Sequence, residues 1–179
     1  DRVILVGDAD FGFEGILNNS QFTQYTVLND GTVTTKTWST KTSDQIIRDL
    51  SGLVDAIYVG TNGRENPNTI LLPMAQFTYI SRTRMGTVND TTILEYAKSV
   101  FPQITRWDWV PELGTIGASG TARMVALTLD PMHIECEVPV MFEALPAQAR
   151  GLEFEVFCHG RTGGNKVYYP LAFSYGDGI

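Results

Sequence analysis

The sequence predicts an α+β fold of mixed sheets with about three helices, and two stretches carry that expectation. From Leu152 to His159 the residues alternate: Leu152, Phe154, Val156 and Cys158 share one face, Glu153 and Glu155 the other, the signature of a half-buried strand. From Ile46 to Tyr58, apolar residues recur at helical spacing in one continuous stripe. The chain has 179 residues, 43% hydrophobic and 18% charged, which fits one domain or two small lobes with a proper core. It opens on Asp1-Arg2-Val3 without an initiator Met, as a fragment or processed product of a longer protein would.

Taken in order, residues 2–6 read as a short apolar strand running into a glycine-rich loop, Gly7 to Gly15. Strands follow around Thr23–Leu28 and Val33–Trp38, joined by a turn at Asn29-Asp30-Gly31. The threonines from Thr32 to Thr42 fit exposed β-structure. Thr42 and Gln45 form a capping box for the main helix. Its stripe is Ile46, Ile47, Leu50, Leu53, Val54, Ile57 and Tyr58, and Gly60 ends it. Arg48, Asp49 and Asp55 fall off the stripe, on the side expected to face water.

Thr61–Pro67 reads as an exposed loop and Asn68–Leu72 as a short apolar strand. Pro73 then opens a second helix through Ser81. A third helix opens at Asn89-Asp90, with Asp90 as N-cap, and stops at Pro102. Ile104–Val110 is a strand with Trp107 and Trp109 on one face. Pro111–Gly120 is a flexible connection, and Ala122–Leu129 another strand. The last quarter predicts a sheet that supplies one core face. Ile134–Val138 is one strand of it. Residues 152–159 and 167–175 form a hairpin around Gly160–Asn165.

No constellation of reactive residues withstands a test of spacing. Gly7 and Gly12 have the gap of a phosphate-binding loop, but Phe13 and Glu14 stand where Lys and a hydroxyl are required, and Asp8, Asp10 and Glu14 would repel phosphate. The dinucleotide fingerprint is absent, and an EF-hand loop fails because Gly12 takes a ligand position. His133, Cys136, Cys158 and His159 make a nominal zinc set. Adjacent strand residues point to opposite faces, however, so Cys158 and His159 do not converge. Both cysteines read as buried free thiols. Gly117-Ala118-Ser119-Gly120-Thr121 lacks the last glycine of a nucleophile elbow. Glu135, Glu137, Glu153 and Glu155 lie on polar strand faces, where solvated carboxylates are expected. Arg123, Arg150, Arg161 and Lys166, or a neighbouring subunit, would answer their charge. No catalytic, cofactor or metal residue is therefore expected.

The net charge of −7, with scattered basic residues, argues against a nucleic-acid binder. No apolar run reaches the length of a membrane span, so no membrane partner is expected. An interaction or structural role is favoured over catalysis.

The order of several segments resembles that of tailed-phage major capsid proteins. These are Gly7-Asp8, Gly12 and Gly15-Ile16-Leu17-Asn18; the amphipathic helix; Asn68-Thr69-Ile70-Leu71-Leu72-Pro73; Pro111-Glu112-Leu113-Gly114; Gly120-Thr121-Ala122-Arg123-Met124-Val125; Leu145 to Phe154; and Tyr169 to Ile179. The last four are similar to a prophage family grouped with encapsulin-like capsid proteins of the Hong-Kong-97-like fold. The resemblance implies an axial lobe at about 20–130 and a peripheral lobe at 1–19 with 131–179. It also implies an N-terminal arm, extended loop and spine helix that would lie before Asp1. It implies pentamers and hexamers of the chain itself, closing a shell in the virion after synthesis in the host cytoplasm. Portal, scaffold or decoration proteins are implied partners, with packaged DNA bound only non-specifically. Arg64, Glu65, Glu112, Arg123, Glu153, Glu155 and Arg161 are the candidate interface residues. The alternatives are a nanocompartment shell, or a small-ligand-binding or hydrolytic domain with its site at Gly7–Gly15.

Overall fold

A computed structural model describes residues 2–8, 10–32, 34–86 and 90–179. The chain begins with a short helix, α1 (Arg2–Val6), where a strand was expected. No strand among the described residues forms a ladder with it. The carbonyls of Ile4 and Leu5 instead accept the N–H groups of Ile16 and Leu17, at 3.0 and 2.9 Å. The glycine-rich loop is a tight reversal between two-residue strands β1 (Gly7–Asp8) and β2 (Phe13–Glu14). β3 is confined to Thr23–Tyr25.

The hairpin expected at Asn29–Gly31 does not form. Val33 lies outside the described residues, and Trp38–Thr40 is a 3-10 turn. Threonine hydroxyls here bond to nearby carbonyls, Thr40 Oγ1 to Thr37 O at 2.7 Å, and so compete with a ladder.

α2 (Ser43–Gly60) is capped as its sequence requires. The Thr42 hydroxyl accepts the Gln45 N–H, and the Gln45 side chain accepts the Thr42 N–H at 2.8 Å. Its stripe buries Ile46, Leu50, Leu53, Val54 and Ile57, each contributing roughly 1.5–3 kcal/mol. Gly52 lets the Tyr25 ring lie against the helix, since a Cβ there would stand 2.4 Å from the ring. Asp49 is not on a wet side: it is fully buried. Its carboxylate accepts the Trp38 indole N–H at 3.2 Å and the Lys41 ammonium at 2.6 Å. Lys41 also lies 3.1 Å from Asp30, which pairs with Arg48. Burial pushes the Asp49 carboxyl up despite Lys41. At Asp30 burial acts the same way, but hydrogen bonds from Arg48 and Lys41 outweigh it and hold that carboxyl low. This network staples Asp30, Trp38 and Lys41 to α2.

β4 (Thr69–Leu72) leads through Pro73, as N-cap, into α3 (Met74–Arg82). α4 (Ile93–Val100) is capped by Thr92, two residues after the expected Asp90, because Thr92 and Glu95 complete a capping box. Asp90 instead pairs with Arg84 at 2.7 Å, and Asn89 lies outside the described residues. β5 (Arg106–Trp109) follows, and Pro111–Gly120 carries two 3-10 turns rather than an unstructured link.

β6 (Arg123–Leu127) is buried throughout and occupies the centre of a five-stranded mixed sheet, in the order β3, β13, β6, β4, β5, where β13 is Phe173–Asp177. Met124 and Ala126 face the helices, while Val125 and Leu127 face a second cluster with Leu17, Phe22, Leu113, Phe173 and Tyr175. Phe22 stacks on Phe173 with centroids 4.3 Å apart. The sheet is thus covered on both faces.

Between β6 and β13 the chain leaves the body. β7 (Ile134–Glu137), β8 (Val140–Ala144) and β9 (Gln148–Arg150) run outward; β10 (Glu153–Glu155), β11 (Cys158–Arg161) and β12 (Gly164–Val167) return. The pairs β7–β12, β8–β11 and β9–β10 are nested, making one long antiparallel hairpin, residues 134–167. This overturns the expected pairing of 152–159 with 167–175. The reversal lies at Gly151, whose φ of 68° suits the turn. The glycines at 160–164 instead kink the returning strand, with a register shift between His159 and Arg161. Pro170 then opens a 3-10 turn that carries the chain back as β13.

Candidate assembly surface

The root of the hairpin is anchored to the body. Tyr168 N–H donates to His133 O at 2.9 Å, closing the ladder. The His133 Nε2 lies 2.8 Å from a Glu65 oxygen, and its ring packs on Tyr169. Asn165 donates to Ile4 O, and β12 packs on α1 and β2. A hollow of about 550 Å³ opens beside the root, between residues 60–65 and 168–172.

Beyond the root, apolar side chains face solvent. Met141 is 79% exposed, Phe142 77% and Phe154 76%, and Leu152 at the turn is fully exposed. Val138, Leu145, Val156 and Phe157 are exposed too. Cys136 and Cys158, expected to be buried, are exposed free thiols. The sheet does not line a core of the described residues: its alternation is real, but no layer among them covers it. An apolar surface of this kind is one against which a further protein layer can pack.

Some of the hairpin's polar side chains meet across the strands. Lys166 lies 3.1 Å from Glu137, Arg150 2.9 Å from Glu155, and His159 3.7 Å from Glu143. The Tyr168 hydroxyl donates to Glu135 at 3.0 Å. Of the four glutamates on the polar strand faces, Glu135, Glu137 and Glu155 are thereby engaged.

Other groups are equally unconverged. Among the described residues no three of His, Cys, Asp or Glu stand close enough to hold a metal, and no helix is long and apolar enough to cross a membrane. Ser119 sits in an exposed turn at φ 59°, without a hydrogen bond to histidine among the described residues. The hollow at Gly7–Gly15 is lined by Asp8, Glu14 and a single cation, Arg2.

The family model described as "Major capsid protein" matches residues 1–179. The chain belongs to the major capsid protein family. A search of curated proteins finds no match. Among solved structures, a capsid chain of Myoviridae phage XM1 superposes with a TM-score of 0.84 at 14% identity, over 99% of this chain and 59% of that one. A virus-like particle from Pyrococcus furiosus gives 0.58 at 11%, over 90% and 58%. A phage-related protein from Bordetella bronchiseptica gives 0.59 at 9%, over 90% and 59%. These likenesses show the fold, and this capsid-family chain spans under two thirds of each of them.

On this member of the family the expected interface residues divide into three groups. Glu153, Glu155 and Arg161 lie on the outer hairpin, with Glu155 tied to Arg150. Arg64 and Glu65 flank the hollow at the root, and Glu112 is half-buried in a 3-10 turn apart from them. Arg123 has to be withdrawn. It is buried, binds Asp177 at 2.6 Å and the Leu17 carbonyl at 2.8 Å, and its guanidinium lies 4.4 Å over the Tyr175 ring. Burial pushes the Asp177 carboxyl up, but Arg123 and the Ala118 N–H outweigh it and hold the carboxyl low. Arg123 therefore braces the sheet. The exposed apolar residues of the hairpin were missed. Their period-two pattern marks a strand, and it reads the same whether its cover belongs to the same chain or to another molecule.

Proposed function

We propose that this chain is a shell-forming part of a tailed-phage or prophage major capsid protein, joining copies of itself in pentamers and hexamers that enclose the genome. One observation carries the reading: the capsid family model spans every residue of the chain. The fold accords with a structural role. Self-association is the partnership this requires, with heterologous contacts, one patch on a different patch, closing the rings. The virion is the place of action and the host cytoplasm the place of synthesis. Portal, scaffold and decoration proteins are further partners, and an acidic chain leaves packaged DNA only weakly held.

The division into an axial lobe near 20–130 and a peripheral lobe of 1–19 with 131–179 belongs to the same proposal. One refinement follows from the topology. β13 lies between β3 and β6 in the main sheet, which supports drawing the peripheral lobe as residues 1–19 with 131–169.

Expression followed by size-exclusion chromatography and negative-stain microscopy tests the function. Rings or shells are the expected result. A compact monomer at all concentrations would overturn it, and shells co-purifying with a protein cargo in place of nucleic acid would reassign them to a nanocompartment.

A further inference from the structure

We propose that Lys41 and Asp49 form a self-modification site, at which the amine and the carboxyl condense within the folded chain to an amide. The fold holds the two groups where that bond would form. Thr42 caps α2, so Lys41 stands just before the helix and Asp49 about two turns inside it. Both side chains are fully shielded from solvent, and Nζ lies 2.6 Å from Oδ2. Fixing nucleophile and electrophile in contact replaces a rare encounter in water by a permanent one.

The neighbours divide the remaining tasks. Asp30 Oδ1 lies 3.1 Å from Nζ, placed to accept a proton, and an ion pair with Arg48 holds Asp30 there. Trp38 donates its indole N–H to Asp49 Oδ2 at 3.2 Å. Asp49 Oδ1 is buried without a hydrogen-bond partner, 3.9 Å from the Arg48 guanidinium. The ammonium first passes a proton to Oδ2, which burial favours because amine and acid are then both neutral; burial likewise pushes the Asp49 carboxyl up. Nζ attacks Cγ, the N–C bond forms, and the C=O electron pair moves onto Oδ1, towards the Arg48 charge. Asp30 takes one proton from the attacking nitrogen and returns it to Oδ2. The carbonyl re-forms at Oδ1, the C–Oδ2 bond breaks beside the Trp38 N–H, and Oδ2 leaves as water. Two buried ions, costly to keep from solvent, become one neutral amide. Asp30 stays ionised and paired with the partly exposed Arg48. Until the bond forms, Lys41 and Asp49 hold each other as a salt bridge.

Mass spectrometry of the full chain, purified folded and then denatured, tests the site whether or not the chain assembles. The wild type should be lighter than its sequence by one molecule of water. Trypsin should no longer cut after Lys41, leaving residues 37–48 joined to 49–64 in a branched product. Lys41→Arg keeps the charge, but its guanidinium stays protonated and cannot attack, so that chain should keep its full mass. In chains followed from synthesis, Asp30→Asn should slow the loss of water by about tenfold or more, with circular dichroism unchanged. A folded wild type of full mass that is cut normally after Lys41 overturns the proposal. So does a loss of water that maps to any other residues or that persists in Lys41→Arg. A folded Asp30→Asn chain that condenses as fast as wild type overturns the proton transfer through Asp30.

Discussion

β6 and the hairpin arm use the same alphabet and meet opposite fates. Both are built of strands with antiparallel partners, and both carry apolar side chains. Every residue of β6 is buried, between α2 on one face and the Phe22–Phe173 stack on the other. In the hairpin, β8 to β11 have no such layers among the described residues, and Phe142 and Phe154 stand in solvent. The difference lies in topology. β6 sits in mid-sheet between β13 and β4, whereas β7 to β12 pair only among themselves. Apolar content therefore measures how much surface must be covered, and topology decides whether the chain can cover it alone.

The comparison is broken most severely by removing Lys41. Lys41→Met leaves Asp49 buried without its counter-ion and should lower stability by about 3–5 kcal/mol. Adding Asp49→Leu should recover most of the loss, since an apolar pair of similar volume removes the stranded charge. Urea unfolding of the single and double variants measures both. Leu53→Ala, in the fully buried stripe of α2, should cost about 2–5 kcal/mol by the same assay. If either change were as mild as a substitution in the arm, the contrast between the two regions would fail.

The brace at Arg123 sharpens the contrast through pH. Asp177 is held below its ordinary value in the fold, so its contribution to stability is complete above the unfolded value of about 4 and is lost as pH falls through the folded one. Asp49, held above its ordinary value, has the opposite sign: its contribution is complete at low pH and is lost as pH rises through the folded value. Asp177→Asn should therefore be less stable than wild type near neutrality, by about 1–3 kcal/mol for a charged hydrogen-bond partner. The gap should close in urea midpoints taken below pH about 4. A gap that stays constant across the range would assign Asp177 a packing role only.

How much of this was legible in sequence depends on distance along the chain. Thr42 with Gln45 declares the start of α2 because a cap is made by residues three apart, and the structure forms it. Asp90 reads as the start of α4, but the true cap is Thr92, because the residue three further on, Glu95, returns the bond. Asp49 was misplaced because its partners, Trp38 and Lys41, lie in an irregular segment with no period to read. The arm was misread for the same reason. Glycines at 160–164 and at 151 both permit a reversal, and only the ladder partners upstream decide between a turn and a kink.

The smallest effect on a single chain is expected in the arm, and it discriminates best. Phe142→Ala removes a ring that is 77% exposed, so the unassembled chain should change by less than about 0.5 kcal/mol. An aromatic side chain of the same size in the core would cost about 3–5 kcal/mol. Assembly should read the same substitution very differently. A ring buried at the centre of an interface is the kind of residue on which association depends, so the concentration at which shells form should rise by about tenfold or more. Urea midpoints of the free chain and light scattering of a concentration series, measured on the same preparation, give the two numbers. A loss in both would mean that the ring packs within its own subunit. A loss in neither would mean that the ring stays in water throughout. Only a silent unfolding curve beside a shifted assembly threshold identifies a side chain whose core is completed by a neighbour.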